Sequence, residues 1–329
     1  QEGYVPTTYT RIREQNLAGY AQYNHPLPFG QANIGLRYEH VDFDYFENGT
    51  FVPGQSRVYD NIFPNISVNG QLGKVQFQVS YAAKTQRPNY SQLRNNITYA
   101  NRFTWQTGNP LLKPSVTHDI TAVGVWRFFQ AMVSYKVVRD YILYWGTQVE
   151  NQSATTLINY INHDRLPSLT VMLAASPTIG IWNLNASAIV MKQWFSLDAA
   201  GQRRTYNNPL FVGSLNNTFT LPAGFLLSAD FNYQSRGQVQ NITLKRPQYT
   251  LNIGLRKSLF NDALSIEARA NDLLLGCKQE ALLYMESAQM KDLSWSDTRS
   301  FSLTVRYKFN AAKSKYKGTG AGQDTINRM

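Results

Sequence analysis

The chain has 329 residues, of which 43% are hydrophobic, 13% aromatic and only 16% charged, yet its mean hydropathy is negative at -0.36. Ordinary soluble domains carry charge on about a quarter of their residues, and no stretch here approaches the roughly 18 apolar residues of a membrane-crossing helix. The formal charge of +11 is spread singly along the chain, without the dense basic arm or interleaved motif of a nucleic-acid binder, so no nucleic-acid partner is expected.

Gln1-Glu2-Gly3-Tyr4 has no basic or apolar leader region, so an exported form would have lost its signal or begun further upstream. Beyond it, apolar and polar residues alternate with a period of two, which predicts strands with one greasy and one wet wall. About 13 such strands are read, near 12–25, 30–43, 60–72, 74–87, 117–128, 130–145, 155–176, 181–195, 209–221, 224–236, 241–258, 263–275 and 299–309. Ala32, Ile34, Leu36 and Tyr38 face away from Asn33, Gly35, Arg37 and Glu39. Val75, Phe77, Val79 and Tyr81 likewise oppose Gln76, Gln78 and Ser80. Phe225, Leu227, Ala229 and Phe231 oppose Asp230 and Asn232, and Leu264, Ile266, Ala268 and Ala270 oppose Glu267 and Arg269.

Many of these strands reach the 9–11 or so residues that a tilted strand needs to cross a bilayer. Short turns (His25–Phe29, Leu72–Lys74, Phe128–Gln130, Pro177–Gly180, Leu221–Gly224, Leu259–Asp262) mostly alternate with long segments at 44–59, 88–116, 196–208 and 276–298. That asymmetry belongs to outer-membrane barrels, which have tight periplasmic turns and long external loops. The fold class expected is therefore all-β, an antiparallel transmembrane barrel over residues 1–309. The last strand carries Phe301, Leu303, Val305, Tyr307 and Phe309 on one face, an alternating row ending in an aromatic. This row resembles the C-terminal signal recognised by the barrel-assembly machinery. A tail over 310–329, with Lys313, Lys315, Lys317 and Gly318-Thr319-Gly320-Ala321-Gly322, is expected to be flexible in the periplasm.

Sites for chemistry are scarce. His25, His40, His118 and His163 are scattered and the sole cysteine, Cys277, adds no zinc spacing. His163-Asp164 is half a dyad at most, and Gly318–Gly322 lacks the Lys-Ser/Thr of a phosphate loop. Neither an enzyme nor a cofactor is expected.

Lys84-Thr85-Gln86-Arg87-Pro88-Asn89-Tyr90-Ser91-Gln92-Leu93, followed by Gly108-Asn109-Pro110-Leu111-Leu112-Lys113-Pro114 and Thr117-His118, resembles the TonB-dependent receptor barrels. The similarity is greatest to the outer-membrane β-barrel family abundant in Bacteroidota. Asn271-Asp272-Leu273-Leu274 and Lys315–Gly322 look like late elements of the same family. The resemblance implies a barrel of about 22 strands plugged by an N-terminal domain, with a TonB box coupling it to inner-membrane energy. Neither plug nor TonB box is visible in this chain, so TonB and a plug would be partners only of a full-length form. About nine further strands are then expected upstream of the 13 or so read here.

Pro88 stops its strand, and Gly108, Asn109 and Pro110 supply turn chemistry. Tyr90, Tyr99, Arg102, Phe103 and Trp105 then fall in a long external loop, where they either contact a ligand by stacking and hydrogen bonding or pack on one another and on the interfacial belt. The expected function is the outer-membrane portion of a nutrient-uptake receptor, surrounded by lipid. The alternatives are a passive pore or structural barrel, and a soluble all-β binding module.

Overall fold

The computed structural model describes residues 8–149, 152–260, 263–286 and 289–309. The expected tail at 310–329 lies outside the described residues. Thirteen long strands form one antiparallel meander: β1 (Thr10–Leu27), β2 (Gly30–Glu47), β3 (Arg57–Leu72), β4 (Val75–Gln86), β5 (Ser115–Trp126), β6 (Phe129–Val149), β7 (Gln152–Ala175), β8 (Trp182–Gln193), β9 (Leu210–Leu221), β10 (Phe225–Gln234), β11 (Gln248–Leu259), β12 (Leu264–Asn271) and β13 (Ser300–Tyr307). Each pairs with the next in sequence. Among the described residues β1 and β13 do not pair, so the sheet is open.

The register explains why these residues form this sheet. Val68, Val79, Ala122, Val133, Val171, Val190 and Phe211 stand side by side across β3 to β9. Trp182, Phe219, Leu227, Leu255, Ala268 and Leu303 do the same across β8 to β13. A slip of one residue in any strand would turn its whole apolar set to the other face. Among the described residues no second sheet covers these rows: Val133 is 46% exposed, Val190 42% and Leu303 71%. A soluble sandwich would bury such residues against a facing layer, whereas a lipid-facing wall leaves them bare. Stacked aromatics gather on the same face at the short-turn end, with Trp126–Phe129 centroids at 6.0 Å and Trp182–Phe219 at 6.2 Å, where a membrane interface wants them.

The opposite face is wet, as the alternation requires. Ser214 donates to Asn232 at 2.9 Å and Asn232 to Thr250 at 3.3 Å, a ladder across three strands. Arg269 reaches Asp230 at 3.5 Å and Glu267 at 3.9 Å. Such a face lines the interior of a barrel.

The main departures from the sequence reading lie beyond the sheet's long-loop rim. The segments 196–208 and 276–298, expected to be loops, contain strands at Phe195–Ala199, Gln202–Tyr206, Lys278–Tyr284 and Gln289–Trp295. The single strand expected over 241–258 is two: Ile242–Leu244 belongs to an external sheet, and β11 begins only at Gln248. Pro247 separates them, since it cannot donate to a ladder.

Candidate functional site

β6 and β7 are 21 and 24 residues long, about twice a membrane crossing. Their far halves rise past the rim as a hairpin that is packed on both faces. On one side lies the hairpin Phe195–Ala199/Gln202–Tyr206, which turns at Ala200 and Gly201 with positive φ of 49° and 70°. Its Phe195, Leu197, Ala199 and Tyr206 bury Leu143, Trp145 and Leu166. On the other side lies the long loop between β4 and β5, whose Leu93 and Leu112 bury against Phe43 and Tyr45 of β2, with Ile142 and Tyr160 packed alongside. The outer mouth thus has a core of its own.

The loop motifs build that core. Arg87 donates to Glu14 of β1 at 3.0 Å and to Glu39 of β2 at 2.8 Å, and Arg37 holds the other oxygen of Glu39 at 2.8 Å. One guanidinium fork therefore ties the loop's start to two neighbouring strands, and with most of the network covered from solvent each member needs the others. The chain then makes the single helical turn Tyr90–Leu93, closed by Gln92 Oε1 accepting from the Asn89 amide at 2.9 Å.

The second half of the motif folds back on the first. Asn109 donates through its amide to the Gln92 carbonyl at 2.6 Å and through its side chain to the Tyr160 carbonyl at 2.9 Å. Gly108 passes so close that a Cβ would sit 2.4 Å from the Gln92 carbonyl oxygen, which only glycine permits. Arg57 donates to the Pro110 and Leu111 carbonyls. Asn162 of β7 accepts from the Lys113 amide at 2.8 Å.

Between these anchors the loop forms a small hairpin, Thr98–Asn101 and Thr104–Gln106, whose second arm pairs in parallel with Thr156–Ile158 of β7. The sequence-predicted contact residues divide here. Tyr99, Arg102, Phe103 and Trp105 share the small hairpin: Tyr99 meets Trp105 edge-on at 5.1 Å, and the Arg102 guanidinium lies 5.2 Å from the Phe103 ring centre. Tyr99 and Phe103 are about half exposed, at 51% and 53%. Tyr90 is elsewhere, packed on the Leu93–Leu112 cluster.

Residues that the sequence did not single out as contacts line a cavity of about 490 Å³ on the wet face beneath these layers. Gln86, Thr117, Lys136, Ser168, Gln193 and Gln240 contribute amides, hydroxyls and one ammonium. Gln193 is the keystone: it donates to the Tyr206 and Gln240 carbonyls at 3.2 and 2.7 Å and accepts from the Gln240 amide at 2.7 Å. Alternation places Thr117, Lys136 and Ser168 on the wet face of three consecutive strands, but nothing local shows that the loops carrying Asn89 and Gln240 converge on them. Close by, burial pushes the Tyr206 phenol up to about 12. In the external sheet, Lys291 and Arg246, at 2.9 and 2.8 Å from Glu280, hold its carboxyl below the usual carboxylate range.

A family model described as outer membrane protein beta-barrel family matches residues 6–307. The chain belongs to that family. With its membership comes its place, the bacterial outer membrane. No curated protein matches the sequence. Among solved structures, this family member is similar to the copper transporter OprC (TM-score 0.61, 12% identity, 91% of this chain on 48% of that one). It is also similar to the FrpB iron transporter from Neisseria meningitidis, F3-3 variant (0.57, 13%, 91% on 45%), and to the siderophore receptor PiuA from Acinetobacter baumannii (0.58, 11%, 91% on 44%). At these identities the likeness is one of fold, and the chain spans a little under half the length of each.

Proposed function

We propose that this barrel segment is part of an outer-membrane receptor for nutrient uptake, driven through TonB when joined to a plug domain. The observation that carries the reading is the loop anchored by Arg87 across the mouth, with a polar cavity beneath it and an aromatic–arginine hairpin at its tip. A passive pore gains nothing from a roofed mouth with its own hydrophobic core, whereas a receptor needs rigid anchors around a partly open pocket. The likeness to iron, copper and siderophore transporters supports the same reading. Tyr99, Arg102, Phe103 and Trp105 are the ligand-facing group in this reading, and Tyr90 is a support beneath them. The wet face would contact the plug.

At the far end of the chain, Phe301, Leu303, Val305, Tyr307 and Phe309 form the strand offered to the barrel-assembly machinery, consistent with their bare apolar row beside an unpaired edge.

The test uses the full-length receptor titrated with a panel of ferric chelates, cupric ion, oligosaccharides and peptides, followed by Trp fluorescence and by accumulation in cells. Saturable binding that weakens about tenfold or more in Arg102→Ala/Trp105→Ala is expected, as for the loss of one stacked, charge-assisted contact pair. Binding unchanged in that variant would remove the ligand role of the hairpin. Accumulation that persists in cells without TonB would make the protein a passive pore.

A further inference from the structure

The lipid-facing wall ends, on β6 and β7, in an unusual pair. Arg139 and Arg165 are direct cross-strand neighbours. By strand parity they continue the apolar rows Val133–Tyr135–Val137 and Val171–Leu169–Pro167, and both are exposed. Directly opposed side chains of adjacent strands start about 5 Å apart, and like charges so placed repel. No carboxylate among the described residues pairs with either arginine, the adjacent Asp140 and Asp164 included. Four residues nearer the membrane centre, Lys192 of β8 stands beside Leu169, its ammonium 5.6 Å from the Trp194 ring centre.

The other flank of the same rim shows what a matched arrangement looks like. There the charges of β1 to β3 answer each other. Arg13 stands opposite Asp44, and Asp60 accepts from Tyr38 at 2.5 Å and lies 2.9 Å from His40. On β6 to β8 no ion pair among the described residues includes Arg139, Arg165 or Lys192.

The height of the pair says what would supply the counterpart. From Phe129 to Val137 the apolar row of β6 covers nine residues, the length with which a tilted strand crosses the apolar band of roughly 25 Å. Arg139 and Arg165 come next, on the long-loop side, with the aromatics Tyr135 and Trp194 just below. That is the depth of the outer-leaflet headgroups. Two guanidinium forks side by side match the oxygens of one phosphate, which would turn their repulsion into charge-assisted hydrogen bonds.

We propose that Arg139 and Arg165, with Lys192, form a binding site for the phosphate of an outer-leaflet glycolipid on the outside of the barrel. Arg139 and Arg165 do not line the polar cavity, while Lys192 borders it.

The test is native mass spectrometry of the full-length receptor in detergent with added bis-phosphorylated lipid A, alongside its dephosphorylated form and inorganic phosphate. Wild-type protein is expected to retain the phosphorylated lipid, and Arg139→Gln/Arg165→Gln to bind it about tenfold more weakly. Arg139→Lys/Arg165→Lys, which keeps the charge but not the forks, should bind more weakly than wild type and more tightly than the Gln pair, showing that the face is intact. Arg127→Gln removes a like charge from the short-turn rim and serves as the control. Equal retention in the Gln pair, an equal loss in Arg127→Gln, or displacement by inorganic phosphate at the concentration of the lipid would each overturn the proposal.

Discussion

The membrane wall and the outer mouth are built by the same strands under opposite rules. Along the wall of β6 and β7 one face is bare and apolar, the other is wet, and stability comes from register, because lipid replaces a second layer. Past Asp140, which adopts a positive φ of 48°, the same two strands enter water. There they are clad on both sides by hairpins and loop, and Leu143 and Trp145 become an ordinary protein interior. A strand pair can therefore change its solvent along its length, provided the sequence brings its own cover where the lipid ends.

The sharpest way to break the contrast is Arg87→Gln. It takes the guanidinium fork away from Glu14 and from one oxygen of Glu39, and should cost the mouth about 3–5 kcal/mol. Proteolysis within 88–114 would rise while the heat resistance of the sheet on detergent gels stays as before. If the sheet melts with the loop, wall and mouth are one cooperative unit. Val171→Arg places a charge in the middle of the valine row and should cost about 2–4 kcal/mol in guanidinium unfolding from vesicles. Thr170→Arg, on the wet side of the same strand, should cost less than about 1 kcal/mol. Equal effects from the two would show that the two faces do not differ in solvent.

A smaller effect, of opposite sign, is expected at Tyr206. Its hydroxyl is buried without a hydrogen-bond partner, so Tyr206→Phe should stabilise the mouth by about 1 kcal/mol, read as slower hydrogen exchange in the hairpin 195–206. The raised phenol also sets a window at high pH. The neutral form is favoured by folding, so its contribution is complete below the ordinary value of 10.0 and lost as pH rises through about 12. Tyr206→Phe should abolish that alkaline loosening. The smallest effect belongs to Glu280, whose lowered value gives the external hairpin a contribution present above the usual carboxylate range and lost as pH falls through it. Exchange protection over Lys278–Tyr284 should drop on acidification, and Glu280→Gln should remove that acid dependence.

Much of the wall was legible because lipid on one face and water on the other impose a two-residue period along whole strands. The thirteen expected strands correspond one to one with β1 to β13, and Arg37, Gln76, Asp230, Arg256 and Glu267 fall on the wet face that alternation assigned them. The two halves of the 84–118 motif were visible as motifs, but not their mutual contact through Asn109 and Gln92.

What the amino-acid order determined alone was the strands and their facing, since both follow from which neighbour along one strand is greasy. The mouth was settled by tertiary structure. Phe195–Ala199 has the alternation of any short strand, yet only the arrival of β6 and β7 beneath it makes a core. Likewise Gln193 holds three elements together that are distant in sequence, and the cavity exists only where they meet. Local periodicity reports the solvent a residue faces. It carries no record of which distant segment will take that solvent's place.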